Sequence, residues 1–150
     1  MVYDVDPAGA SVTNVFDAAR RSQVIELLGT DTANGYRLRS DDGSPWSNTT
    51  HRVIEWSLAY DESFVVYVDV ETTAGQRYLY YTPVDYDSLG TTRYVHHGLG
   101  SNTADGRWRT IVRDLQADLA EAQPGATILE VNAFLVRGSG RLDDVTLTGR

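Results

Sequence analysis

Apolar residues in this chain recur at every second position in short runs, and clusters of turn-forming residues interrupt them. Phe64, Val66, Val68 and Val70 form one such run, and Ile54, Trp56 and Leu58 form another. A two-residue period sends successive side chains to opposite faces of a strand, so each run predicts a strand with one apolar face. Turn signals at Asn34-Gly35, 41–45, Ala74-Gly75, 88–90, 98–106 and 138–140 separate the runs. The pattern predicts strands over 11–16, 23–28, 35–39, 52–60, 63–71, 76–82, 93–97, 107–113, 127–137 and 141–148. One segment departs from it: Leu115, Leu119 and Ala122 recur at helical spacing ahead of Pro124-Gly125, which predicts a short helix over 114–121. Many short strands and one helix predict an all-β fold, a two-sheet antiparallel β-sandwich of jelly-roll type.

Strand phase then says what such a sandwich displays. With Ile54, Trp56 and Leu58 inward, Glu55, Ser57 and Ala59 point out; with Phe64 to Val70 inward, Tyr67, Asp69 and Glu71 point out. Leu79 places Tyr81 inward and Tyr78 and Tyr80 outward, and an inward Val95 puts Tyr94 and His96 outside. Trp108, Thr110 and Val112 inward would display Arg107, Arg109, Ile111 and Arg113, while inward Phe134 and Val136 display Leu135 and Arg137. If these strands share a sheet, its outer face gathers Tyr67, Tyr78, Tyr80, Tyr94, His96, Glu55, Asp69, Arg109 and Arg137. These residues suit a polysaccharide, because aromatic rings pack on the C–H faces of pyranoses while carboxylates and guanidinium groups hydrogen-bond the hydroxyls. Paired arginines also suit uronate or sulfate groups. The competing reading is plain cross-strand packing of good strand formers.

The end of the chain carries a further signal. Phe134-Leu135-Val136-Arg137 and Arg141-Leu142-Asp143-Asp144-Val145-Thr146-Leu147 flank a Gly138-Ser139-Gly140 turn. Strict alternation puts Asp143 on the same face as Val145 and Leu147, where a carboxylate needs a metal ion, hydrogen bonds or an ion pair. The run Leu142-Asp143-Asp144-Val145 resembles the closing strand of galactose-binding-like β-sandwich carbohydrate-binding modules. The order of Val12-Thr13-Asn14-Val15-Phe16-Asp17, Ser22-Gln23-Val24-Ile25-Glu26-Leu27 and Asp105-Gly106-Arg107-Trp108-Arg109-Thr110, leading into Arg113-Asp114-Leu115, extends the resemblance over most of the chain. The glutamate-bearing first strand of such modules is not legible here. The resemblance implies a structural calcium beside the last strand, with the first and last strands paired. Asp143 and Asp17 are the ligands expected for it, and Asp4 and Asp6 are alternatives. A salt bridge from Asp143 to Arg20 or Arg21 is the other solution.

A length of 150 residues suits one domain spanning 1–150. A formal charge of -8 argues against nucleic acid and anionic lipid as partners, and no apolar run is long enough to cross a membrane as a helix. Cysteine is absent, so neither disulfides nor thiolate sites arise. Met1-Val2-Tyr3-Asp4 lacks the basic and apolar regions of a signal peptide. The chain is expected to be a monomeric module of a larger secreted protein, tethered there to other domains.

Other chemistry is less well supplied. His96 and His97 would point to opposite sides of a strand, Asp41-Asp42-Gly43 and Asp85-Tyr86-Asp87 read as turns, and no nucleophile elbow surrounds a serine. A small jelly-roll lyase using Tyr94, His96, Tyr80 and Arg109, or a glycoside hydrolase using Glu55 and Asp69, is the enzyme alternative. A structural or adhesive sandwich domain is the third. The expectation is a non-catalytic module that binds polysaccharide, with no catalytic residue assigned.

Overall fold

The computed structural model describes residues 2–4 by their backbone and residues 10–149 in full. Its elements in chain order are β1 (Val2–Asp4), β2 (Ser11–Asp17), β3 (Ser22–Leu28), β4 (Gly35–Leu38), β5 (His51–Ala59), β6 (Val65–Thr72), β7 (Gly75–Thr82), β8 (Tyr94–Gly98), β9 (Arg109–Asp114), α1 (Leu115–Ala122), β10 (Ile128–Arg137) and β11 (Gly140–Gly149). All ten expected strands and the helix are present. The added strand, β1, is three residues long, too short for a period to show.

The strands form two sheets, sheet A in the order β1-β4-β10-β6-β7-β8 and sheet B in the order β2-β3-β11-β5-β9. Neighbours run antiparallel except β7 and β8, which are parallel and joined by the long loop between them. The two sheets face each other across a core that includes Ile54, Trp56 and Leu58 from sheet B and Val66, Val68, Leu79, Tyr81, Phe134 and Val136 from sheet A, each at most 1% exposed. Trp56 bridges the layers, its ring centroid 5.6 Å from both Tyr81 and Phe134. Each large side chain fully buried this way contributes about 1.5–3 kcal/mol.

Gly138-Ser139-Gly140 carries the chain from sheet A to sheet B. A Cβ on Gly138, whose φ is 116°, would lie 2.8 Å from the Ser63 carbonyl oxygen, and one on Gly140 would lie 2.5 Å from the Tyr60 ring. Ser139 Oγ fastens the turn by accepting from the Gly29 amide (2.9 Å) and donating to the Gly29 carbonyl (3.1 Å).

Two strands break the expected phase. In β11 a bulge lies between Asp143 and Thr146, where Asp144 takes a φ of 52°. Leu142 therefore enters the core, Val145 and Leu147 pack against it, and Asp143 turns outward instead of sharing their face. In β9 the faces are exchanged: Ile111 pairs with Trp56 and packs on the core, while Val112 is 55% exposed. As an edge strand, β9 can place arginines on its inner side, since their stems cover apolar surface and their heads reach the rim. Arg113 reaches Asp118 of α1 (2.7 and 2.9 Å) and Arg109 reaches the Asn102 carbonyl (3.2 Å) and Asp105. The helix begins at Asp114, whose side chain accepts the Ala117 amide (3.0 Å), and it buries Leu115 and Leu119.

Candidate functional site: the outer face of sheet A

Because Phe134 and Val136 of β10 enter the core, Leu135 and Arg137 project from the other side of sheet A. Alternation does the same for Arg37 between Tyr36 and Leu38, for Tyr67 and Asp69 in β6, and for Tyr78 and Tyr80 in β7. Register then lines these residues up across the sheet. Leu135 lies opposite Arg37 and Tyr67, Tyr67 opposite Tyr80, and Tyr80 opposite His96. This row crosses five strands and is ~19 Å long. A second row sets Asp69 beside Tyr78 and Tyr78 beside Tyr94.

The rings make a connected surface. Tyr67 stacks on Tyr80 at 5.5 Å, Tyr78 on Tyr94 at 5.5 Å and Tyr80 on His96 at 4.8 Å, while Tyr67–Tyr78 and Tyr80–Tyr94 meet edge to face at 5.8 and 6.1 Å. Tyr86 adds its edge to His96 at 5.7 Å. Such offset and T-shaped contacts hold ring orientation, each worth ~0.5–1.5 kcal/mol. Beside them lies a depression of about 230 Å³ lined by Arg37, Tyr67, Tyr78, Tyr94, Leu135 and Arg137.

The polar groups differ in how they are held. Arg137 donates from Nη1 to the Thr32 and Ala33 carbonyls (3.2 and 3.1 Å), and Asp69 accepts from Gln76 Nε2 (2.7 Å). His96 is buried with Nε2 on Thr82 Oγ1 (2.6 Å); burial lowers its pKa against the opposing pull of Asp87, so the ring is neutral at neutral pH. Burial raises the Tyr67 hydroxyl, with Arg137 opposing. His97 faces the other way, towards Glu121 (3.4 Å).

Sheet A thus brings together Tyr67, Tyr78, Tyr80, Tyr94, His96, Asp69 and Arg137. It does not include Glu55 or Arg109, which lie on β5 and β9 of sheet B. The Glu55–Asp69 pair considered for a glycoside hydrolase is therefore split between the two sheets, and the Tyr94, His96, Tyr80 and Arg109 set considered for a lyase is split likewise. Arg37, Leu135, Gln76 and Tyr86 were missing from the expected site. Arg37 was readable from its neighbours Tyr36 and Leu38, whereas Tyr86 lies in a loop with no period.

Asp17 and Asp143 come near one another through β3 and the 17–22 turn, since β11 pairs with β3 and β5, not with β1. Both carboxylates are occupied by arginine. Asp17 is buried and accepts from Arg141 Nη1 (2.8 Å), the Arg20 amide (2.9 Å) and Trp108 Nε1 (3.2 Å). Arg20 Nη2 bridges Asp143 (3.1 Å) and Asp144 (2.6 Å) and its guanidinium covers the Trp108 ring at 4.7 Å. In this arrangement the donor set does not fit the expected calcium, because an ion would have to displace both guanidinium groups. The side chains of Asp4 and Asp6 lie outside the described residues.

Two expectations follow. Melting temperature should be the same in calcium and in chelator; a rise with calcium would show that the ion displaces the arginines. Hydrogen bonding from Arg141, then from the Arg20 amide, lowers the Asp17 pKa from 3.8 to about 2. A depressed folded-state pKa stabilises the fold above the unfolded value, so this contribution is present above pH 3.8 and lost as pH falls towards 2. Asp17→Asn should flatten that part of an acid-denaturation profile.

No protein-family profile and no curated protein sequence matches the chain. Among solved structures it is similar to the family 11 carbohydrate-binding module of a cellulosomal cellulase of Clostridium thermocellum, with a TM-score of 0.53 and 14% identity over 100% of this chain and 87% of that one. That module is also matched as its complex with a β-1,3-1,4-mixed-linked tetrasaccharide (TM-score 0.49, 13% identity, 99% and 88% covered). A xylan-binding domain from Paenibacillus barcinonensis is matched at a TM-score of 0.45, with 14% identity and 98% and 86% covered. The chain shares its two-sheet β-sandwich fold with the family 11 module.

Proposed function

We propose that this chain is a non-catalytic carbohydrate-binding module that holds a polysaccharide across the outer face of sheet A. The observation that carries this reading is the connected array of Tyr67, Tyr78, Tyr80, Tyr94 and His96, flanked by arginines at one end and by Asp69 in the neighbouring row. A cross-strand packing account explains any one of these pairs. It gives no reason for the rings to gather on a single face, beside a depression, in a row long enough for an oligosaccharide. Contacts among the rings fix their orientation before a ligand arrives, which reduces the ordering needed on binding. The shared fold supports the reading.

Each site would bind modestly. Tethered to an enzyme or a cell surface outside the cell, the module would raise the local concentration of its neighbour on an insoluble glycan. The test is affinity electrophoresis of the purified monomer in a panel of plant and algal polysaccharides, with reducing and unsaturated ends measured in parallel. Retardation without product is the expected result. Product formation would make the protein an enzyme, and no retardation by any polymer would remove the sheet-face reading.

A further inference from the structure

Carboxylates that cluster in this fold meet arginine: Asp17, Glu26, Asp105, Asp118, Asp143 and Asp144 each have a guanidinium partner. Asp87 and Glu121 are an exception, and among the described residues neither forms an ion pair with arginine. They converge from separate elements on His97 of β8, Asp87 from the 83–93 loop and Glu121 from the last turn of α1. A ring nitrogen of His97 and one oxygen of each carboxylate all lie within 4.8 Å of one another. The helix dipole disfavours a carboxylate at the end of α1, and the last turn holds no basic residue to offset it.

His97 is 3% exposed, and its ring is poorly satisfied. Nδ1 has no hydrogen-bond partner, and Nε2 stands 3.4 Å from Glu121 Oε2, beyond the usual range of an N–H···O bond. Asp118 Oδ1, 3.8 Å from the same nitrogen, is held by Arg113. A buried polar ring of this kind calls for a partner. The Nε2–Oε2 distance is also that of two ligand atoms on a tetrahedral ion, which bonds of ~2.1 Å set ~3.4 Å apart. Asp87 Oδ1 accepts the Gly98 amide (2.8 Å), which fixes its carboxylate beside β8. Both carboxylate side chains are exposed, so an ion could enter from solvent and keep water as a ligand.

We propose that Asp87, His97 and Glu121 bind a divalent transition-metal ion of the zinc type. One imidazole and two carboxylates match zinc, whereas calcium takes oxygen ligands. The ion would tie the 83–93 loop and α1 to the edge strand β8. Tyr86, which meets His96, precedes Asp87 in that loop, so the ion would also steady one end of the ring array. The site is separate from the Asp17 and Asp143 carboxylates and does not depend on the sheet-face reading.

The test is calorimetric titration of zinc chloride into the chain, without a histidine tag, after chelator treatment and dialysis. One ion per chain is expected, and zinc at a hundredfold excess over Kd should raise the melting temperature by roughly 8 °C. Calcium should do neither, and the calcium comparison above belongs on the same stripped protein. Asp87→Asn and Glu121→Gln should each weaken zinc by about tenfold or more and move the metal-free melting temperature by no more than about 2 °C. His97→Gln should abolish binding; if that buried variant fails to fold, the two carboxylate variants decide. Zinc bound with unchanged affinity by both carboxylate variants would place it elsewhere and overturn the site. So would the absence of both binding heat and a melting shift in the unaltered chain.

Discussion

Replacing Asp118 with Ala should lower the melting temperature by roughly 10 °C. Asp118 projects from α1 beneath sheet A, is 6% exposed, and accepts three hydrogen bonds: Tyr81 Oη (2.6 Å), Arg113 Nε (2.9 Å) and Arg113 Nη2 (2.7 Å). The Arg113 guanidinium also sits 5.2 Å from the Tyr81 ring centroid, and His97 Nε2 lies 3.8 Å from the same carboxylate. Removing the carboxylate leaves a half-buried guanidinium and a buried hydroxyl without their acceptor. Breaking one partner of a buried pair costs about 3–5 kcal/mol. Tyr81→Phe removes one hydrogen bond from the same carboxylate and should cost only about 1 kcal/mol. Equal and small shifts for both variants would show that water takes over from Asp118. Because Asp118 lies on the core side of Tyr81, the folded fraction of Asp118→Ala should still bind glycan.

Asp118 also shows where the sequence was readable and where it was not. Its neighbours Leu115 and Leu119 marked the helix, but nothing in the chain order said that Tyr81 and Arg113 would meet beside it. Likewise β5, β6, β7 and β10 revealed their faces because each carries unbroken apolar alternation and lies inside a sheet, where the inner side must be apolar. Alternation misled at β9, an edge strand whose inner arginines reach the rim, and at β11, where the bulge at Asp144 shifts the phase by one residue. The outward residues of the candidate face were mostly legible for the same reason: tyrosines between inward aliphatics have one place to go. Sheet membership was not. Glu55 and Asp69 have the same outward phase, and only the pairing of β5 with β11 and β9, and of β6 with β10 and β7, separates them. Pairing of this kind depends on contacts distant in sequence, so a periodicity within one strand carries no record of it.

Tyr80→Ala should be the most damaging single change to glycan binding, with an affinity loss of about 30-fold or more. Tyr80 is the middle of the array, touching Tyr67, Tyr94 and His96 at 5.5, 6.1 and 4.8 Å. Its removal takes away one stacking surface and also the support that orients three others, so the effect should exceed that of Tyr78→Ala or Tyr94→Ala. Tyr86→Ala, at the exposed end of the array, should cost least. Stability should respond in a different order. Tyr80 lies on the solvent side of sheet A, so its loss forfeits pair contacts of ~0.5–1.5 kcal/mol each without opening a core cavity. Affinity gels and melting curves on the same four variants separate the two accounts of this surface. Binding losses ranked by position in the array, with small stability changes, mean that the rings serve a ligand. Stability losses of that rank with unchanged binding would mean that the tyrosines are cross-strand packing and that the glycan lies elsewhere.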